Sequence, residues 1–321
     1  MNMVKETKEK VLDIKNLDIH FKTKGNKVFK AVSNVSFYVN KGETYGLVGE
    51  SGSGKSTTVR AILNLVDVTN GSISYNGQDI SKLGNKQFWP LRKELQMIFQ
   101  DPISSLDPKK SIGETLEEVL KIHKMYSPKE RTYQAMNILK EVGLQTEHYY
   151  KFPHQISGGQ AQRVCIARAL IIHPTILVCD EPVSALDVSV QAQIINLLLD
   201  LKEEFNLTQV FIAHDLGVVR HISDRIGTMY LGNIVEEAPT DLLFENPLHP
   251  YTKLLLSSIP KPDPFVERER IELEGESTSV DHEAQGCKYA AKCPFTKDIC
   301  KSAVPELKEV EAQHFVACHL Y

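Results

Sequence analysis

The residues Gly49-Glu50-Ser51-Gly52-Ser53-Gly54-Lys55-Ser56-Thr57 carry the spacing G-x-x-x-x-G-K-[ST]. This pattern does phosphate chemistry. Its glycines let backbone N–H groups curl around an anion, Lys55 can reach outer phosphates, and the Ser56 hydroxyl can ligate Mg²⁺. The flanks fit. Thr44-Tyr45-Gly46-Leu47-Val48 predicts a buried strand and Thr58-Val59-Arg60-Ala61-Ile62-Leu63 a helix. A strand–loop–helix order sets bound phosphates at a helix N-terminus, where dipole and amide groups favour negative charge.

A second set of chemical groups lies further along. Thr175-Ile176-Leu177-Val178-Cys179 is a short apolar run that ends in Asp180-Glu181. Two carboxylates closing a buried strand are costly unless a cation meets them. Asp180 is placed to hold Mg²⁺, and Glu181, pointing elsewhere, to polarise an attacking water. Gln100 ends the apolar segment Leu95-Gln96-Met97-Ile98-Phe99, and His214 follows Gln209-Val210-Phe211-Ile212-Ala213. Polar side chains at strand ends in such a sheet face the ligand. Gln100 is a candidate for Mg²⁺ or its water, and His214 for a terminal phosphate or, alternatively, a helix cap. Ser157-Gly158-Gly159-Gln160 opens another helix, a second candidate anion site or simply a glycine-rich cap. The long segment between the two glycine loops favours an anion held by another subunit.

The elements that must position these groups follow from periodicity. Val11 to Phe21 predicts a first strand, and Val35, Phe37 and Val39 alternate with polar residues in a second. Asn76-Gly77 is a hairpin turn signal. Antiparallel β structure therefore surrounds the phosphate-loop strand. A helix-forming, charged stretch at about 102–170 reads as an insertion. Val190, Ile194, Leu197, Leu198, Leu201 and Phe205 share one face of a later helix. Strands alternating with helices after residue 170 imply right-handed crossovers and a parallel sheet. The fold class is α/β.

Length and charge bound the rest. The chain has 321 residues and a net charge of −4, with no dominant basic stripe, so nucleic acid is not an expected partner. Residues 1–10 are polar and read as a tail rather than a secretory signal. No apolar run reaches the roughly 20 residues of a membrane span, so a cytoplasmic protein acting on membranes through a partner is expected. The six cysteines are uneven. Cys287, Cys293, Cys300 and Cys318 crowd the C-terminal end, where Pro260-Lys261-Pro262-Asp263-Pro264 marks a boundary. Four thiolates suit tetrahedral zinc or an iron–sulfur cluster, and the spacing does not choose between them.

As an ordered set, Gly49–Thr57, Gln100, Ser157–Gln160, Cys179–Pro182, Ser184–Asp187 and His214 resemble the Walker A, Q-loop, signature, Walker B, D-loop and H-loop of ABC-type ATPases. Phe99-Gln100-Asp101-Pro102 through Pro108, and His249-Pro250-Tyr251-Thr252-Lys253, look like the oligopeptide/dipeptide permease branch. The Gly-Lys-Ser-Thr form of the loop is similar to that of the second, F-type, ATPase of those importers. The resemblance implies a P-loop NTPase (RecA-like) core with an antiparallel β subdomain. It assigns 11–260 to the nucleotide-binding domain and 261–321 to a C-terminal extension with a four-cysteine site.

The same resemblance implies roles for single residues. Phe21, with Phe29 as rival, would stack on adenine. Gly49, Glu50, Ser51, Gly52, Ser53, Gly54, Lys55, Ser56 and Thr57 would hold ATP phosphates. Ser56, Gln100 and Asp180 would complete the Mg²⁺ environment, Glu181 would be the base, and His214 would position the terminal phosphate. Ser157, Gly158, Gly159 and Gln160 would act on ATP held by a sibling ATPase. Gln155, Ile156 and Ala161 depart from the usual signature surroundings. The four cysteines would hold a [4Fe–4S] cluster. Expected partners are the sibling ATPase, in a heterodimer, two transmembrane permease subunits and an extracellular solute-binding protein, with the chain peripheral on the cytoplasmic membrane face. The Gln100 segment and the insertion would receive the permease's coupling helix. A soluble ABC ATPase of iron–sulfur assembly and an importer of another solute, such as nickel, are the alternatives.

Overall fold

The structure, a computed structural model, describes residues 9–23, 28–259 and 285–321. Most of the expected tail and the Pro-rich boundary at 260–264 lie outside them. The chain forms two compact units. One contains residues 1–40, 44–82 and 212–321, and the other residues 41–43 and 83–211.

In the first unit, Lys10–Lys22 and Val28–Asn40 pair antiparallel, and Asn70–Tyr75 and Gln78–Asp79 extend the sheet on the side of Lys10–Lys22. Leu12, Ile14, Leu17 and Ile19 from one long strand and Val35, Phe37 and Val39 from the other are buried together. The expected hairpin is formed by Asn76 (φ 48°) and Gly77 (φ 78°), the positive pair that a tight two-residue turn needs. The strand Thr44–Val48 is buried at every residue and runs parallel to Arg225–Tyr230. That strand pairs antiparallel with Asn233–Pro239. His314–Val316 and Lys308–Glu311 then continue the same sheet, so the end of the chain is built into the unit that carries the phosphate loop.

The second unit holds the insertion. Its helices include Ile112–Ile122, Pro128–Glu141 and Gly158–Leu170. Ser111 caps the first, its hydroxyl accepting from Glu114 N–H (3.2 Å) while Glu114 Oε2 accepts from Ser111 N–H (2.7 Å). Ile112, Leu116 and Leu120 are buried on that helix, as are Ala135, Ile138 and Leu139 on the second. Leu95–Ile98 and Ile176–Asp180 pair in parallel, and all five residues of the latter are buried. A strand covered on both faces has no reason to alternate, which is why its sequence is one apolar run. The helix Val188–Phe205 buries Ile194, Ile195, Leu198 and Leu201.

Candidate nucleotide-binding site

The loop leaves the strand Thr44–Val48 at Gly49, whose φ is +151°. A Cβ there would stand 2.1 Å from the backbone oxygen of Met229, so only glycine fits. The helix Lys55–Ile62 begins after Gly54, which has φ +103°, no side-chain cap and no acidic residue in the first turn after it. A Cβ on Gly54 would meet Ala31 O at 2.5 Å. With no built-in carboxylate, the helix start is chemically suited to an outside anion. Lys55 is only 4% exposed, and its ammonium donates to Gly49 O (2.8 Å), Glu50 O (2.8 Å) and Ser53 Oγ (3.3 Å). The cation is thus folded onto its own loop, held by two carbonyls and a hydroxyl.

The loop is gripped from behind. Ser53 O accepts from Gly232 N–H (2.8 Å), and Gly232 O accepts from Ser33 N–H (2.8 Å). Glu50 N–H donates to the hydroxyl of Tyr251 (2.9 Å), a residue with no side-chain role in the sequence reading. The supporting strand is stiffened by a stack of Phe37 on Tyr45 (4.6 Å between centroids). Phe21 and Phe29, the two adenine candidates, are directly opposed across the first hairpin and are 39% and 38% exposed. Opposed residues share a face, so the hairpin presents both rings together.

In the second unit, Gln100 Nε2 donates to Glu181 Oε2 at 2.8 Å. Two strand ends that the sequence marked separately therefore meet. Asp180 is 2% exposed at the end of its strand. Glu181 has φ +49°, the left-handed region, which costs a non-glycine residue about 1–3 kcal/mol and recurs at functional turns. Its carbonyl holds the turn by accepting from Ser184 N–H (3.3 Å) and Ser184 Oγ (3.1 Å). The segment after Gln100 is tied to the Gly158–Leu170 helix by Arg168 donating to Ser105 O and by Ser105 Oγ against Cys165 Sγ (3.1 Å).

Ser157 caps that helix: its Oγ accepts from Gln160 N–H (3.3 Å), and Gln160 Oε1 accepts from Ser157 N–H (3.0 Å). A Cβ on Gly159 would lie 2.6 Å from Val190 Cγ1, so the glycine allows close helix packing. The cap and the packing are structural roles that these residues fill within the chain. Ala161 is 1% exposed, which explains a small apolar residue there. His214 is exposed and does not cap the following helix. Asp215 does, its Oδ1 accepting from Gly217 N–H (2.8 Å).

Two family models match the chain: "ABC transporter" over residues 32–184 and "Oligopeptide/dipeptide transporter, C-terminal region" over residues 235–300. The chain is 51% identical to the oligopeptide transport ATP-binding protein AppF of Bacillus subtilis (strain 168), over 91% of this chain and 90% of that protein. The chain belongs to the oligopeptide/dipeptide branch of the ABC transporter ATP-binding family. It is also 43% identical to the di/tripeptide transport ATP-binding protein DppF of Pseudomonas aeruginosa (strain UCBPP-PA14), over 97% of this chain and 98% of that one. Among solved structures, it resembles a dimeric post-hydrolysis state of the ATP-binding cassette MJ0796 bound to ADP and Pi. That likeness has a TM-score of 0.65 and 32% identity, over 71% of this chain and 98% of that chain. The α/β P-loop fold expected from the motifs is the fold of this ABC ATPase.

The cysteine segment gives a different result. All six cysteines are free thiols. Burial raises the pKa of Cys287 and Cys318, and other thiols of the set add to both shifts. Yet among the described residues no three or more His, Cys, Asp or Glu are grouped so as to hold a metal ion. As arranged, the donors do not fit the expected cluster.

Proposed function

We propose that this chain is the ATP-hydrolysing subunit of an ABC importer that drives uptake of oligopeptides or dipeptides. The observation that carries the reading is similarity to AppF and DppF over nearly the whole length, the C-terminal region included. The iron–sulfur-assembly and nickel alternatives have no such support. The importer's other parts would be two membrane-spanning permease subunits, a solute-binding protein and a sibling ATPase as heterodimer partner. The chain would sit on the cytoplasmic membrane face. No helix among the described residues is long and apolar enough to cross a membrane, which leaves solute passage to the permeases.

Residue roles extend that proposal. Lys55 and the loop N–H groups take the ATP phosphates, with Phe21, or its cross-strand neighbour Phe29, against adenine. The Ser56 hydroxyl, the Asp180 carboxylate and the Gln100 amide oxygen are hard donors that fit Mg²⁺. When bound, Mg²⁺ neutralises phosphate charge. Glu181 takes the proton of the attacking water, and its bond from Gln100 fixes one carboxylate oxygen while the other accepts. His214 holds the terminal phosphate. Ser157, Gly158, Gly159 and Gln160 serve the sibling's ATP, their capping box preforming the helix start.

Two experiments test this. Affinity purification from gently solubilised membranes should recover two multi-span proteins, a sibling ATPase and a binding protein, and recovery of soluble partners alone would overturn the importer. Glu181→Gln should cut turnover at this chain's site about 10²–10⁴-fold while ATP still binds. Near-normal turnover would remove Glu181 as base.

The second part of the proposal is a soft-metal site at Cys287, Cys293, Cys300 and Cys318, [4Fe–4S] in preference to zinc. The number of thiols in one short segment supports it, the described arrangement would have to close around the metal, and no step of hydrolysis depends on it. Anaerobically purified protein should carry iron and acid-labile sulfide. Zinc without iron would refute the cluster, and absence of both would refute the site.

A further inference from the structure

Three tyrosines join the phosphate loop to the C-terminal extension. Tyr251 is fully buried, and its hydroxyl accepts from Glu50 N–H, the second residue of the loop. Its ring lies 4.6 Å from that of Tyr230 and 5.5 Å from that of Tyr289. Tyr230 and Tyr289 meet edge to face at 5.2 Å and 86°. Tyr230 also closes the strand Arg225–Tyr230, whose Met229 carbonyl crowds Gly49, and it lies two residues before Gly232, whose N–H holds Ser53 O. The cluster therefore grips the loop near both ends. Tyr289 is the one member from the extension, and Cys287 and Cys293 pack against the same cluster.

We propose that Tyr251 is a positioning residue for the phosphate loop, and that Tyr289 acts through it, so that the C-terminal extension sets the ATP affinity of its own chain. The physical reason is preorganisation. A buried ring held between two others has little freedom left to lose, so its hydroxyl fixes the Glu50 amide before ligand arrives and lowers the ordering cost of binding. Tyr289 meets Tyr251 and Tyr230 ring to ring, and its effect on the Glu50 amide is routed through the Tyr251 ring.

The proposal rests on the reading that this loop binds ATP, and the test separates the two. ATP–Mg²⁺ affinity and steady-state hydrolysis are measured on the full-length chain. Tyr251→Phe keeps the ring and deletes the acceptor. It should raise Kd and KM about three- to tenfold, the worth of one hydrogen bond, with kcat within about twofold. Tyr289→Leu should shift KM in the same direction, Tyr289→Phe should restore it, and Tyr251→Phe with Tyr289→Leu should be less than additive. Variants that melt earlier but keep wild-type KM would overturn the proposal, as would full additivity. Lys55→Ala is the control. If it retains ATP affinity, the loop assignment fails; if it loses affinity while both tyrosine variants bind normally, only the present inference fails.

Discussion

Glu236 and Glu237 are adjacent, buried and on one strand, and they serve different partners within the first unit. Alternation sends their side chains to opposite faces. Glu237 pairs with the Arg225 guanidinium and accepts from the Tyr45 hydroxyl (2.8 Å), on the strand that delivers the phosphate loop. Glu236 is fully buried and accepts from Leu248 N–H (2.7 Å), His249 N–H (2.9 Å) and His314 Nε2 (2.7 Å). It thereby ties the helix Pro250–Ser257 and the last strand of the chain to the sheet. A guanidinium stays charged at every relevant pH, whereas imidazoles titrate. The loop side is therefore held by a permanent cation, while the extension side includes His249, whose protonation burial opposes. One carboxylate and its donors therefore join the extension to the sheet, alongside the strand pairing of Glu236 and Glu237 with Val316 and Phe315.

The largest expected effect breaks the Glu236 side. Glu236→Leu keeps volume but leaves two backbone amides and a ring N–H buried without an acceptor. The loss should be about 3–5 kcal/mol of unfolding free energy, read by urea titration, with extension residues exchanging amide protons first. A loss under about 1 kcal/mol would mean that the seam does not hold the extension.

Next comes acid. Burial pushes His249 down to about 4, against the opposing pull of Glu236. The unfolded chain takes this proton near pH 6.5, while the folded chain refuses it until about pH 4. Stability is therefore intact above pH 6.5 and falls as pH drops through that window, by about 3 kcal/mol in all. His249 Nδ1 accepts from Tyr251 N–H (3.1 Å) as an N-cap, a task that Asn also performs. His249→Asn should flatten this part of the profile, measured as unfolding midpoints at pH 7.5, 6 and 5. Parallel profiles for wild type and variant would sink the assignment.

The chemistry was more legible in the sequence than its scaffolding. Gly49–Thr57 and the Asp180-Glu181 strand end are local patterns in which each residue type answers to a neighbour a few positions away. Tyr251 bonds Glu50 across 201 residues, and Glu236 bonds His314 across 78, so no local pattern announces either. A signal did exist. Two carboxylates inside Ile234-Val235-Glu236-Glu237-Ala238 make an apolar strand costly to bury unless partners wait on both faces. His214 and Asp215 show the reverse limit, since adjacent polar residues at a strand end gave no way to see which one caps. The cysteines show a third. Their count and crowding are plain, but whether donors converge depends on side-chain directions that spacing does not contain.

The smallest effect sharpens the loop side. Arg225 lies with its guanidinium 4.2 Å from the Tyr38 ring and 5.4 Å from the Tyr45 ring, and it donates to Tyr38 O at 3.3 Å. Its side chain is 12% exposed, so these contacts are shielded from water. Arg225→Lys keeps the charge opposite Glu237 but loses the flat face and the forked donors. The expected cost is about 1–2 kcal/mol. Because neither cation titrates between pH 5 and 8, that cost should be the same across the range, in contrast with His249→Asn. Denaturant titrations of Arg225→Lys at pH 5 and pH 8 decide it. Equal losses keep the two faces of the strand distinct. A loss that grows toward pH 5 would show that the Glu237 network and the histidine seam unfold as one unit, and that the loop side shares the acid sensitivity of the extension.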